Sequence, residues 1–117
     1  MSCPTFVAES MAVRTAAHLA HLSTQSYAQH VALGEFYEAL IGKVDAYAEV
    51  YMGLNSRISS FPLVTTPRGS PEDILEGYLD AVQTEMTEDH KSEALKNILA
   101  EIEELTARTL YKIRNLK

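Results

Sequence analysis

Residues 18–49 read HLAHLSTQSYAQHVALGEFYEALIGKVDAYAE. After the polar Ser-Thr-Gln-Ser run at 23–26, which predicts a break and a helix cap, no proline interrupts the chain until Pro62. Projected at 100° per residue, Phe36, Tyr37, Leu40, Val44, Tyr47 and Tyr51 fill one broad arc, as a core-facing helix requires. That pattern predicts a long helix over about 25–53. A second stripe borders the arc and carries His30, Gly34, Glu38, Ile41, Asp45, Glu49 and Met52. Acids and a histidine at the edge of an apolar face are placed where a neighbouring helix or a second subunit could cover them.

The flanking sequence reads the same way. Upstream, Ser10–Leu22 is rich in Ala, Leu and Met without Gly or Pro, and predicts a first helix over about 10–22 with Arg14, His18 and His21 on one face. Downstream, Asn55, Ser56, Ser59, Ser60, Pro62, Pro67 and Gly69 make 54–70 a long connection. Ser70, Pro71, Glu72 and Asp73 then supply a hydroxyl cap, a proline at the first helical position and acids in the first turn. A third helix follows over about 71–87, with Ile74, Leu75, Tyr78, Leu79, Val82 and Met86 facing inward. A polar turn holds His90, and a fourth helix over about 91–115 steps through Leu95, Ile98, Ile102, Leu105, Thr109, Ile113 and Leu116. No segment shows a strand pattern. The fold class expected is all-α, an up-and-down four-helix bundle in one domain, with a crossover between the second and third helices.

Composition narrows the functions. The 117 residues are 46% hydrophobic, enough for one modest core, and the net charge is −6, with 16 acidic against 10 basic residues. Such a field repels nucleic acid and anionic membranes, and the cations Lys112, Arg114 and Lys117 are better explained by a helix C-terminus than by a binding patch. No nucleic-acid or membrane partner is expected. Cys3 is the single cysteine, which excludes an intrachain disulfide and a Cys-rich zinc site and suits a reducing compartment. With no apolar run of membrane-spanning length and no signal core in MSCPTFVAES, a cytoplasmic location is expected.

The histidines and acids carry the chemistry. Imidazole nitrogens with carboxylate oxygens suit Fe(II), Mn(II) or Zn(II), and Asp45 and Glu49, one helical turn apart, present two oxygen groups to one ion or one group each to two. An acid pair at that spacing is equally common on solvated faces. His21 and Glu38 are weaker candidates for the same site, and Tyr27, Tyr37, Tyr47 and Tyr51 are either core or radical traps beside a metal.

The intervals from His18 to His30, then to Asp45 and Glu49, are twelve, fifteen and four residues. In these intervals, in the Asp-Ala-Tyr-Ala-Glu string at 45–49, in HVALGEFYEAL at 30–40 and in SEALKNILAEIEELTARTLYKI at 92–113, the chain resembles the Dps-type mini-ferritins of the ferritin-like superfamily. The resemblance implies a ferritin-like bundle and a ferroxidase centre across a two-fold interface. In it, His18 and His30 of one subunit face Asp45 and Glu49 of its partner. Iron is then the metal bound and oxidised by peroxide or oxygen, for detoxification, storage or protection against oxidative stress, and the partner is a second copy of the chain in a homodimer or larger homo-oligomer.

There are departures from the family pattern. Leu19 stands where a tryptophan is usual, and Gly34 where an additional acid is common. The 54–70 segment is short for a further helix, which argues against a hollow shell. The alternative is a non-catalytic helical interaction protein that binds a protein partner and keeps a vestigial metal site.

Overall fold

In a computed structural model the chain is described over residues 2–88 and 92–117, and those residues form four α-helices with no strand among them. They are α1 (Cys3–Ser23), α2 (Tyr27–Leu54), α3 (Pro71–Met86) and α4 (Glu93–Asn115). His90, expected in the turn between the third and fourth helices, lies outside the described residues. A serine opens each helix. The side-chain oxygens of Ser2, Ser26, Ser70 and Ser92 accept from the backbone N–H groups of Thr5, Gln29, Asp73 and Leu95, satisfying a donor with no partner within the helix.

The first helix begins at Cys3 rather than near residue 10. Pro4 falls in its first turn, where a missing N–H costs nothing, and Ser2 caps it. The added turns carry Phe6 and Val7 into the core, with Phe6 wholly buried against Tyr47 and Tyr78.

α1 packs against α2 and α3, and α4 packs against the same two, so α1 lies diagonal to α4 and α2 diagonal to α3. Phe6, Leu33, Phe36, Leu40, Val44, Tyr47, Leu75, Val82, Leu99 and Ile102 fill the centre. Tyr37 and Tyr51, placed in the core arc by projection, are only half-buried at its margin. Residues 55–70 form no helix and run along α1: Phe61–Val64 lie beside Val7–Thr15, and Thr65–Gly69 beside Ala16–Ser23. At the surface, Lys112 pairs with Glu35 at 3.1 Å and Arg114 pairs with Glu72 and Glu76. Two of the three C-terminal cations are therefore engaged with acids. Among the described residues no helix is long and apolar enough to cross a membrane.

Polar groups inside the bundle are bonded in short chains. Tyr78 donates to Ser10 Oγ at 2.7 Å, and Ser10 donates to the Phe6 carbonyl at 2.8 Å. Tyr47 donates to Glu85 Oε2 at 3.2 Å, with Glu85 itself wholly buried on α3. Burial, followed by the nearby Glu85 charge, holds the Tyr47 hydroxyl far above the usual tyrosine range, and burial does the same for Tyr78.

Ser10→Ala strands the buried Tyr78 hydroxyl and lowers stability by about 1–2 kcal/mol. Adding Tyr78→Phe restores part of that loss, because both ends of the bond are then gone. Urea unfolding of the two single variants and the double variant reads the coupling; strict additivity would show that the bond contributes nothing.

Candidate functional site

α1 ends at Ser23 and α2 starts at Tyr27, so the two helices fold back on each other through a tight turn. Thr24 tightens it: its hydroxyl donates to Gln29 Oε1 at 2.9 Å and accepts from the Ser26 N–H at 3.1 Å. The turn brings His18 and His21 of α1 against His30 and Tyr37 of α2.

His21 and His30 hold each other reciprocally. His21 Nδ1 lies 2.6 Å from the His30 carbonyl oxygen, and His30 Nδ1 lies 2.8 Å from the His21 carbonyl oxygen. The two rings stack at 3.8 Å between centroids and 16° between planes. The His21 carbonyl sits in the last turn of α1, where helix geometry supplies no N–H partner, and His30 fills that need. A carbonyl only accepts, so each Nδ1 carries the hydrogen, and in the neutral form of either ring the lone pair is on Nε2.

Gly34 makes this packing possible. A β-carbon there would lie 3.0 Å from Cε1 and 3.1 Å from Nδ1 of His21. The position where the family resemblance leads one to expect an acid is thus taken up by the His21 ring. His18, one turn before Leu22, stacks on Tyr37 at 4.0 Å and 12°. Arg14 completes the row, its guanidinium 5.8 Å from the centre of the Tyr37 ring, and its Nε is buried with no hydrogen-bond partner among the described residues.

The acids lie elsewhere. Asp45, Glu49 and Glu38 are exposed on α2, and neither Asp45 nor Glu49 has an ion-pair partner among the described residues. Fifteen residues separate His30 from Asp45, about 22 Å along a helix that rises about 1.5 Å per residue. One chain therefore brings His18, His21 and His30 together and leaves Asp45 and Glu49 at a distance. Among the described residues no three His, Cys, Asp or Glu side chains converge on a point where a metal ion could sit. From the sequence His21 is a weaker ligand candidate that more readily faces solvent or the second helix; its bond to His30 depends on how the two helices align and is not marked in either segment alone.

Gly42→Ala, with open space around it on α2, raises stability by about 0.5–1 kcal/mol through helix propensity. Gly34→Ala loses that gain and lowers stability by about 1 kcal/mol, because the pinned His21 ring has nowhere to go. Chemical denaturation of the two variants side by side checks this; an equal gain at both positions would mean that the His21–His30 contact yields freely.

No curated protein and no solved structure matches the chain. Residues 21–113 match a family described as a family of unknown function, DUF5856; the matched span runs from His21 to Ile113 and takes in His30, Gly34, Tyr37, Asp45 and Glu49, but not His18. Because that span covers most of its length, the chain belongs to the DUF5856 family.

Proposed function

We propose that the protein binds Fe(II) at a site shared by two copies and oxidises it with hydrogen peroxide or oxygen, in a ferritin-like bundle of the Dps type. His18 and His30 come from one copy and Asp45 and Glu49 from the other. The observation that carries the reading is the His30 ring: its Nδ1–H is committed to the His21 carbonyl, so Nε2 holds the lone pair. Metal-binding imidazoles are commonly held this way, with the second nitrogen bonded to a carbonyl or carboxylate.

Two further features support it. The diagonal placement of α2 and α3, with residues 55–70 lying along α1, is the arrangement a crossover connection requires. The separation of about 22 Å along α2 leaves a second copy as the source of carboxylates for the histidine end. The donor set, two imidazoles and two carboxylates, fits Fe(II), and Zn(II) or Mn(II) would compete for it. Asp45 and Glu49 offset the charge added as Fe(II) becomes Fe(III), while open coordination positions admit the oxidant.

A second reading is favoured by one observation. Leu19 and Leu22 are 57% and 67% exposed on α1, as a surface that meets a protein partner would be. On that reading the bundle is an interaction module and the metal site is vestigial.

Subunit mixing separates the two. His30→Ala and Asp45→Ala each abolish iron-dependent peroxide or oxygen consumption while helicity stays unchanged. A refolded mixture of the two variants regains roughly a quarter of the intact sites, because half of randomly formed dimers keep one complete site. Full turnover in Asp45→Ala alone would overturn the assignment.

A further inference from the structure

We infer that the seam between α1 and α3 binds a small linear zwitterion, with an amine and a carboxylate at opposite ends of an apolar chain. This site is separate from the histidine cluster and does not depend on the iron reading. A cavity of about 320 Å³ opens where the connection 55–70 passes between α1 and the start of α3, a size at the lower end of the range that small-molecule sites occupy. Val13, Ile74 and Tyr78 give it apolar walls. Gly77, also on the lining, leaves it open on the α3 side. A β-carbon there would meet no atom within 4 Å, although alanine is the more stable choice in a helix interior. The glycine therefore contributes space to the cavity and no packing.

The charges on the lining identify the ligand. Glu9 is half-buried and Arg68 is exposed at the rim. Neither has an ion-pair partner among the described residues, whereas Lys43, Arg108, Lys112 and Arg114 all pair with acids. Asp73, the third charge on the lining, has a role in the helix itself, since it lies in the first turn of α3 where the macrodipole favours an acid. A partly desolvated carboxylate without a partner is costly, and a ligand ammonium beside Glu9 removes that cost. Arg68 offers a planar fork that matches a ligand carboxylate. Two further hollows along α1 and the connection contain no acid, so neither offers this pairing.

The two charges stand toward opposite ends of the cavity. Glu9 adjoins Ser10, which accepts from the Tyr78 hydroxyl, while Arg68 precedes Ser70, the cap of α3. From residue 70 to residue 78 a helix rises about 12 Å. A ligand that meets both charges is therefore extended, with its methylene chain lying over Ile74 and Gly77.

The test is an NMR titration of the isotope-labelled full chain with ω-aminooctanoate, and with octylamine and octanoate as probes that each lack one charge. Saturable shifts are expected for the zwitterion at the amides of Glu9–Val13 and Asp73–Ala81. Each single-charge probe binds about tenfold more weakly, as the loss of one charged hydrogen bond predicts. Gly77→Leu fills the cavity and removes binding while the helical spectrum is kept. Glu9→Gln removes the preference for the zwitterion over octanoate, and Arg68→Gln removes the preference over octylamine; these two rim substitutions carry the test if Gly77→Leu does not fold. No saturable binding of ω-aminooctanoate at millimolar concentration, equal binding of all three probes, or unchanged binding in folded Gly77→Leu would each overturn the site.

Discussion

The reciprocal bond between His21 and His30 fixes how α1 and α2 meet, and the site follows from that meeting. Each ring gives its Nδ1–H to the other residue's carbonyl, and the two rings then stack at 3.8 Å. One of those carbonyls sits at the end of α1, where it needs a partner from outside the helix. The contact meets that need and sets the register of the two helices. With that register fixed, His18 falls on Tyr37 and Arg14 falls beside it. Gly34 is the condition for all of it, since a side chain there would occupy the space of the His21 ring.

The length of α2 sets the second constraint. A helix is a rigid spacer, and the histidine and carboxylate ends of this one are about 22 Å apart. On the proposed reading, the exposed carboxylates at one end meet the half-buried imidazoles at the other only between copies, in a two-fold arrangement with two equivalent sites. A site of that kind would couple metal binding to association, because the ion would hold groups from two chains together.

Much of the fold was legible in the sequence because its signals are local. Serine at the starts of α2 and α3, proline in the first turn of α3, and the dense turn formers of 55–70 mark boundaries without knowledge of the packing. The start of α1 at Cys3 was not legible, because the capping role of Ser2 shows only when Phe6 is seen to fill the core. Glu85 was missed because a carboxylate at that position reads as solvent-facing, although 75, 78, 82 and 85 follow one helical face. Its burial becomes intelligible once Tyr47 of α2 is placed against it, a contact between residues 38 positions apart. The candidate site divides along the same line. The residue types and intervals of His18, His30, Asp45 and Glu49 stand in the sequence, whereas the stack on Tyr37 and the locked His30 ring depend on helix register.

The most direct measurement is an anaerobic Fe(II) titration of metal-free protein, with molar mass read by light scattering before and after. The account predicts saturable binding of roughly one or two ions per subunit by a dimer or larger assembly, set by two imidazoles and two carboxylates per site. A monomer that binds no Fe(II) above background would contradict it, and would leave His18, His30, Asp45 and Glu49 without a shared task.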